Sequence, residues 1–474
     1  MHVNAKNVVS LCFVLMFFES LFSIYLEYRR IRKQRDARIP KYFAQVLSQE
    51  EYDKSRAYIT VRAKLSILKE ILSAVELFVV VYFKLYVIMW NLSERIAFSF
   101  GFNKDSEILI SIIFMILTEL LSNVISIPVS YFETFNIEAK FNFNKQTRKM
   151  FFVDLIKMQL VSIVTDIPIF AFILWVFKHR PGGDKYWLIA YIVFMIFFIL
   201  MQSVYQKVIM PMFNKFTPLT DEEIAPAIKE FCERCNFAVK DVFEIDGSRR
   251  SSKSNAFFVG LFGKKEVVLY DTLLDMVRKD KLIEKEHILA VLGHEIGHAK
   301  HHDIWKMIGM YGAMFLFMFY AFSKTVDSPE IHAVFGFEEK HTIVGFMAFM
   351  TLVYPLLSIL SALSNPISRS FEYQADKYSH DMGCDIGTPL VVLSTENLLD
   401  FNPDPIHSFY YNSHPSLSER LKALNWVAPE GIKEKRLKAK ALKKEREEKE
   451  EAEKQEKIKK MKEGLTKKEK DDDL

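Results

Sequence analysis

Cysteine is almost missing from this 474-residue chain: Cys12, Cys232, Cys235 and Cys384 are the whole complement, too few for a disulfide scaffold. A reducing compartment is the default expectation. Cys232-Glu-Arg-Cys235 has metal-site spacing, but no second cysteine or histidine pair lies near it, so it is not read as a site. Glycine is also scarce, 16 residues against 42 phenylalanines, and 50% of the chain is hydrophobic. That balance argues against the two or three soluble domains that the length alone would suit. The net charge is only +4, and the basic residues cluster beside apolar runs instead of forming a stripe, so no nucleic acid partner is expected. In place of these the chain has long apolar runs, and a lipid bilayer is its first expected partner.

Residues 8–27 form a run of spanning length, interrupted by Glu19 and followed by Arg29, Arg30, Arg32, Lys33 and Arg35. A cleaved signal peptide needs its positive cluster in front of the run and a small-x-small cleavage site, and neither is present. The positive-inside rule then puts the N-terminus in the lumen and residues 28–69 in the cytosol. Further runs at 71–92, 107–130, 157–178, 187–209, 304–323 and 342–364 make seven spans, which bring the C-terminus to the cytosol. Lys140, Lys145, Arg148 and Lys149 then lie in a cytosolic loop, as their charge requires, and the sequon at Asn91 falls on the lumenal side. Glu76, Lys84, Glu119, Asp154, Lys157 and Asp166 lie within or at the edges of spans; either they mark span ends or the helices surround something wet. Pro128 and Pro168 predict kinks. The organisation expected is spans one to five over 1–210, a soluble insertion over 211–303, spans six and seven over 304–364, a second soluble part over 365–428 and a charged tail over 429–474. The fold class is mainly α, a multi-pass membrane protein with a small β-hairpin in its soluble part.

The chemistry centres on Val291 to Asp303, VLGHEIGHAKHHD. On a helix His294 and His298 share a face and can hold one zinc ion, Zn2+, with Glu295 beside them as general base. Such a site needs a third protein ligand and an open position for water. Glu372, in the later stretch Arg369-Ser-Phe-Glu-Tyr-Gln-Ala-Asp376, is the candidate ligand, because topology returns it to the same side of the membrane. Asp376, one turn on, would then accept a hydrogen bond from a liganding imidazole. Between the spans and the motif, a helix is expected over Asp221 to Cys235 and a strand near Val242 to Ile245. Ala256 to Val259 and Glu266 to Tyr270 read as a hairpin turned around Gly260 and Gly263. A hairpin there could offer an edge to an extended peptide, or could simply pack under the motif helix. His414 lies in a loop before a helix that Ser416 and Glu419 should start with a capping box; it is a candidate to stabilise an oxyanion. The tail from Lys433 is too polar to fold by itself, is expected to be disordered or a solvated helix, and is assigned no chemistry. Its end matches neither a lysine retention signal nor a prenylation motif.

Taken together, Glu133 to Gln146, Pro211 to Leu219, Asp246 to Phe257, VLYDTLL, LGHEIGH, FEYQADKY and SHPSLSERLKAL resemble the integral-membrane CaaX prenyl protease family, the type I zinc endopeptidases, over about residues 130–425. The resemblance implies a seven-helix barrel around a water-filled chamber in the endoplasmic reticulum or inner nuclear membrane, closed at its cytosolic end by a gluzincin-like zinc domain. It implies His294, His298 and Glu372 as metal ligands, Glu295 as catalytic base, His414 as catalytic oxyanion stabiliser, and Asn255-Ala256 as the substrate-binding edge. Prenylated CaaX proteins are the implied substrates, losing their terminal tripeptide and in some members undergoing a second, upstream cut. The chain departs from the family pattern at Ala299, where Trp is usual, and at Asp303 and Lys253, where His is usual. It departs again at Tyr411-Asn412, where His-Tyr is usual.

Two other readings stay open on sequence grounds. One is a quality-control membrane protease with no prenyl requirement. The other is a channel or scaffold with a dead site, which the complete set of chemical groups argues against.

Overall fold

A backbone crossing hydrocarbon has to satisfy its own N–H and C=O groups, and the apolar runs of this chain all fold as helices. The computed structural model describes residues 5–260, 263 and 265–472. Its first part comprises α1 (Ala5–Lys33), α2 (Gln49–Tyr82), α3 (Leu85–Ser99), α4 (Glu107–Phe132), α5 (Arg148–His179) and α6 (Tyr186–Val204). A module holding a small sheet follows, with β1 (Phe216–Pro218), α7 (Ile224–Arg234), β2 (Val239–Ile245), β3 (Ala256–Val259), β4 (Lys265–Tyr270), α8 (Asp271–Arg278) and α9 (Lys285–Lys300). The chain returns through α10 (Asp303–Thr325) and α11 (Thr342–Asp381), then ends in α12 (Gly387–Glu396), α13 (Pro405–Tyr411), α14 (Leu417–Ala423) and α15 (Ile432–Asp472).

Among the described residues six helices are long and apolar enough to cross a membrane, and seven if α2 and α3 are one span bent by 65°. The run at 71–92 is therefore broken where an unbroken span was expected. Lys84 takes the left-handed conformation at φ 50°, and its aliphatic stem lies against Gly336, where a Cβ would meet Lys84 Cδ at 2.9 Å. Tertiary packing of this kind leaves no mark in a hydropathy run. Successive helices are neighbours around a ring, with α6 against α10, α10 against α11, and α11 closing onto α1. Several of the ionisable groups flagged in the spans have partners. Glu76 accepts from Ser122 of α4 at 2.7 Å, and Lys157 donates to the Met212 carbonyl at 2.9 Å. Asp154 receives both arms of Arg250 at 2.9 and 3.1 Å. Glu119 and Asp166 line one cavity between the helices, of about 450 Å³, and Glu70 and Glu76 line a second of about 440 Å³.

The expected hairpin is present as β3 and β4, with Ala256 opposite Leu269. It is part of a larger sheet of order β1-β2-β4-β3, in which β2 runs parallel to β4 and β1 antiparallel to β2. One face of the sheet supplies Val267 and Leu269 to a core with Ile228 and Phe231 of α7 and Ile288, Leu292 and Ile296 of α9. Cys232 and Cys235 lie in the same core, both buried and unbridged. Burial pushes the Cys232 thiol up to about 12, so it behaves as a small apolar side chain.

The tail is helical, and its first turns are docked rather than solvated. Arg436, only 2% exposed, pairs with Glu51 of α2 at 2.9 Å, and Lys440 bridges Glu51 and Glu396 at 2.7 Å each. Lys443 and Arg446 close on buried Asp280 at 2.9 and 2.6 Å. These cations recur every three or four residues and so share one face of α15.

Candidate metal centre

Two helices build the centre, α9 carrying His294, Glu295 and His298 and α11 carrying Glu372 and Asp376. They approach closely because the facing positions are glycines. A Cβ on Gly297, inside the motif, would stand 2.8 Å from Ala375 Cα, and one on Gly293 would stand 2.8 Å from Ser379 Oγ. Ser379 uses that closeness to donate to the Ala290 carbonyl at 2.7 Å, tying the helices together. Glu372 and Asp376 need no separate element, since the 40-residue α11 carries span seven and the carboxylates without a break.

The donor atoms converge. His294 Nε2 and His298 Nε2 are 3.2 Å apart, and they lie 3.6 and 3.4 Å from the two Glu372 oxygens. Three ligands held tetrahedrally at bonds of about 2.0–2.2 Å stand about 3.4 Å from one another, so one small cation fits between them. Glu372 Oε2 is buried and accepts no hydrogen bond among the described residues, as expected of an atom reserved for an ion. Two imidazole nitrogens and a carboxylate are also the donor set that zinc takes in catalytic sites.

The outer nitrogens of both imidazoles are held as well. His294 Nδ1 lies 2.9 Å from Asp376 Oδ1 and His298 Nδ1 lies 3.0 Å from Asp303 Oδ2. Asp376 in turn receives Arg420, from Nε at 2.7 Å and Nη2 at 2.6 Å, while Nη1 of the same guanidinium lies 3.5 Å from Glu372. Glu295 is half-buried beside His294, and burial pushes its carboxyl above the usual carboxylate range, toward the proton affinity a general base needs. Burial disfavours charge on His298, but hydrogen bonds to Glu372 and Asp303 outweigh it and raise its pKa to about 9.

His414 stands in the loop between α13 and α14, exposed, with Nε2 3.2 Å from Glu372 Oε1 and Nδ1 3.0 Å from Ser413 Oγ. The structure thus brings it to the rim of the centre. Asn255 precedes and Ala256 opens β3, the last strand of the sheet, which among the described residues pairs only with β4 and lies beside α9. Asn255 is exposed and turns its side-chain oxygen to the Ala256 N–H at 2.9 Å. Lys253, one of the departures from the family pattern, reaches away to Tyr58 and Glu138 at 3.0 and 3.1 Å and joins this loop to α2.

Sequence reasoning missed Asp303 as the partner of His298, and Arg420. Arg420 had one visible signal, its place inside the capped helix that Ser416 and Glu419 begin, and that capping box is present.

Known proteins are similar to this chain in sequence and fold. Residues 27–215 match the family description "CAAX prenyl protease N-terminal, five membrane helices", and residues 218–428 match "Peptidase family M48". The CAAX prenyl protease 1 homolog of Oryza sativa subsp. japonica is 35% identical over 417 residues, which cover 87% of this chain and 96% of the rice protein. The CAAX prenyl protease 1 of Saccharomyces cerevisiae is 34% identical over 429 residues, 86% of this chain and 93% of the yeast protein. The crystal structure of S. mikatae Ste24p superimposes with a TM-score of 0.80 at 31% identity, covering 89% of this chain and 99% of that one.

Proposed function

The chain belongs to peptidase family M48, in its CAAX prenyl protease branch, and from that membership we propose that this multi-pass membrane metalloprotease is a zinc endopeptidase acting on prenylated CaaX proteins. In this reading it removes the tripeptide that follows the prenyl-cysteine. The observation that carries the reading is the convergence of His294, His298 and Glu372 on one cation-sized point next to an open strand edge. His294 and His298 on α9 and Glu372 on α11 would hold the zinc, which when bound supplies a polarised water and a positive charge facing the scissile carbonyl.

The remaining steps fall to side chains. An extended substrate lies against Asn255 and Ala256, where backbone hydrogen bonds to β3 fix the amide without reading much of its sequence. Glu295 takes the proton of the attacking water and delivers it to the leaving amine, a transfer that its raised proton affinity suits. His414, within 3.2 Å of Glu372 Oε1, donates to the oxygen on which charge develops. Asp376 and Asp303 orient the two imidazoles, and Arg420 anchors Asp376. The basic cluster from Arg29 to Arg35 supports a cytosolic placement of this end with the N-terminus lumenal, and the endoplasmic reticulum is the membrane that the family resemblance implies.

The test uses the purified chain and matched peptides with and without a farnesyl group, with Glu295→Gln as the inactive control. Cleavage of the farnesylated peptide before the last three residues is expected. Equal cleavage of both peptides would remove the prenyl requirement while leaving the protease intact.

A further inference from the structure

We propose that the cavity between the end of α1 and the α13–α14 segment is a binding site for a phosphate-bearing anion, with the headgroup of an acidic phospholipid as the source its position favours. The cavity holds about 880 Å³, within the range of small-ligand sites. Four cations line it, Lys33 and Lys41 from the N-terminal side and Arg369 and Lys422 from the protease side, against one carboxylate, Glu419.

That carboxylate is already engaged. Glu419 Oε2 accepts from the Ser416 N–H at 2.8 Å and from its hydroxyl at 2.6 Å, completing the cap of α14. Other acids near the cavity wall are also taken, Asp404 by Arg29 at 2.9 Å and Asp400 by Gln34 at 3.0 Å. Among the described residues no carboxylate pairs with Lys33, Lys41 or Lys422; Lys422 rests over the Tyr42 ring at 5.8 Å. Arg369 donates to two neutral carbonyls, Asn412 at 2.8 Å and Phe409 at 3.4 Å, and so keeps its charge. Four positive groups from three separate segments therefore converge on a single carboxylate, leaving an excess of positive charge over a floor of buried Phe43 and Phe401. A compact anion with several acceptor oxygens answers that arrangement.

Depth selects the source. Lys33 is the last residue of α1, and Arg369 lies just past the apolar part of α11, so the cavity opens where the hydrocarbon ends and headgroups begin. The site is also coupled to the protease, because its wall includes Ser416 and Glu419, the cap of the helix that carries Arg420 to Asp376.

The full chain, purified in detergent, is offered phosphatidylserine, phosphatidylcholine or inorganic phosphate, and bound ligand is counted by native mass spectrometry. Phosphatidylserine should be retained and phosphatidylcholine lost. The combined variant Lys33→Glu, Lys41→Glu, Lys422→Glu should bind phosphatidylserine at least on the order of a hundredfold more weakly, since losing three cations each worth roughly fivefold already gives that factor before the added negative charge. The neutral variant Lys33→Gln, Lys41→Gln, Lys422→Gln, checked for an unchanged melting temperature in phosphatidylcholine, should lose affinity in the same direction and guards against misfolding of the first. Phosphate displacing the lipid at equal affinity supports the anion site and assigns it to a soluble ligand. Equal retention of phosphatidylserine by wild type and the neutral variant overturns the proposal.

Discussion

The Nδ1 nitrogen of His298 sits 3.0 Å from the Oδ2 oxygen of Asp303, a residue that begins the next helix after a left-handed turn at His302, φ 57°. A carboxylate in that place fixes the imidazole with its Nε2 lone pair toward the metal position, as Asp376 does for His294. Lys306 donates to the other Asp303 oxygen at 3.0 Å and holds it there. Asp303→Asn should therefore weaken zinc retention by about 10–100-fold while leaving helix content unchanged. Competition with a chelator of known affinity reads this directly, and an unchanged zinc affinity would leave Asp303 a merely structural group.

Glu295 lies between the two histidines in sequence but is not one of the three converging ligand residues. Glu295→Gln keeps the shape and removes the proposed base, so peptidase activity should fall by about 10²–10⁴-fold. Zinc content should stay at one ion per chain by elemental analysis. Loss of metal together with activity would instead mean that Glu295 helps to hold the ion.

The parts of the centre visible in the sequence are those that repeat on a helix: His294 with His298 and Glu372 with Asp376 are each one turn apart. The hairpin and the Ser416 cap were visible for the same reason, a local rule with a local signature. Asp303 was not, because its pairing with His298 crosses a helix break where periodicity stops. Arg420 was hidden because its partner Asp376 is 44 residues away and nothing local demands it. The broken second span depends on Lys84 meeting Gly336, and the docking of α15 depends on carboxylates in three other segments. Composition averages over all of these.

Gly297 explains why the motif has glycine between its glutamate and its second histidine. A Cβ would strike Ala375 Cα at 2.8 Å, Ala375 O at 3.1 Å and Tyr378 Cβ at 3.1 Å, none of which a rotamer change can move. Gly297→Ala should push α9 and α11 apart, at a cost of about 1–3 kcal/mol of the kind overpacked cores show. Because the shift separates the histidines from Glu372, zinc affinity should fall with the melting temperature. Both are measurable on the same purified sample, and full zinc affinity in the alanine variant would show that the helices can part without disturbing the ligands.

The docked turns of α15 make a separate claim. Arg436 is 2% exposed and its partner Glu51 is 8% exposed, so removing the guanidinium leaves a buried carboxylate short of a partner. Breaking a buried pair costs about 3–5 kcal/mol, and the share left here is smaller because Lys440 still reaches Glu51 at 2.7 Å. Arg436→Ala should therefore lower the melting temperature clearly. Deleting residues 451–474 should not, since the ion pairs to Glu51, Glu396 and Asp280 all come from residues before them. A tail that is solvated throughout would make both changes silent in the same thermal scan.

If His298 ligates zinc as proposed, proton and metal compete for it, and the sign of that competition follows from its partners. Its pKa in the fold, about 9, lies above the ordinary 6.5, so the metal-free fold gains stability from the charged ring. That gain is complete below about 6.5 and disappears as pH rises through about 9. A liganding imidazole must be neutral, so zinc has to expel this proton. Apparent zinc affinity should rise by up to about tenfold per pH unit on approach to pH 9 and then level off, at least as far as His298 governs it. Chelator competition on the zinc-depleted chain across that range measures the slope. In Asp303→Asn, which replaces one of the two charged acceptors that hold the proton with a neutral amide, the levelling should come at lower pH. A profile flat from neutrality upward in the wild-type chain would show that His298 carries no proton there.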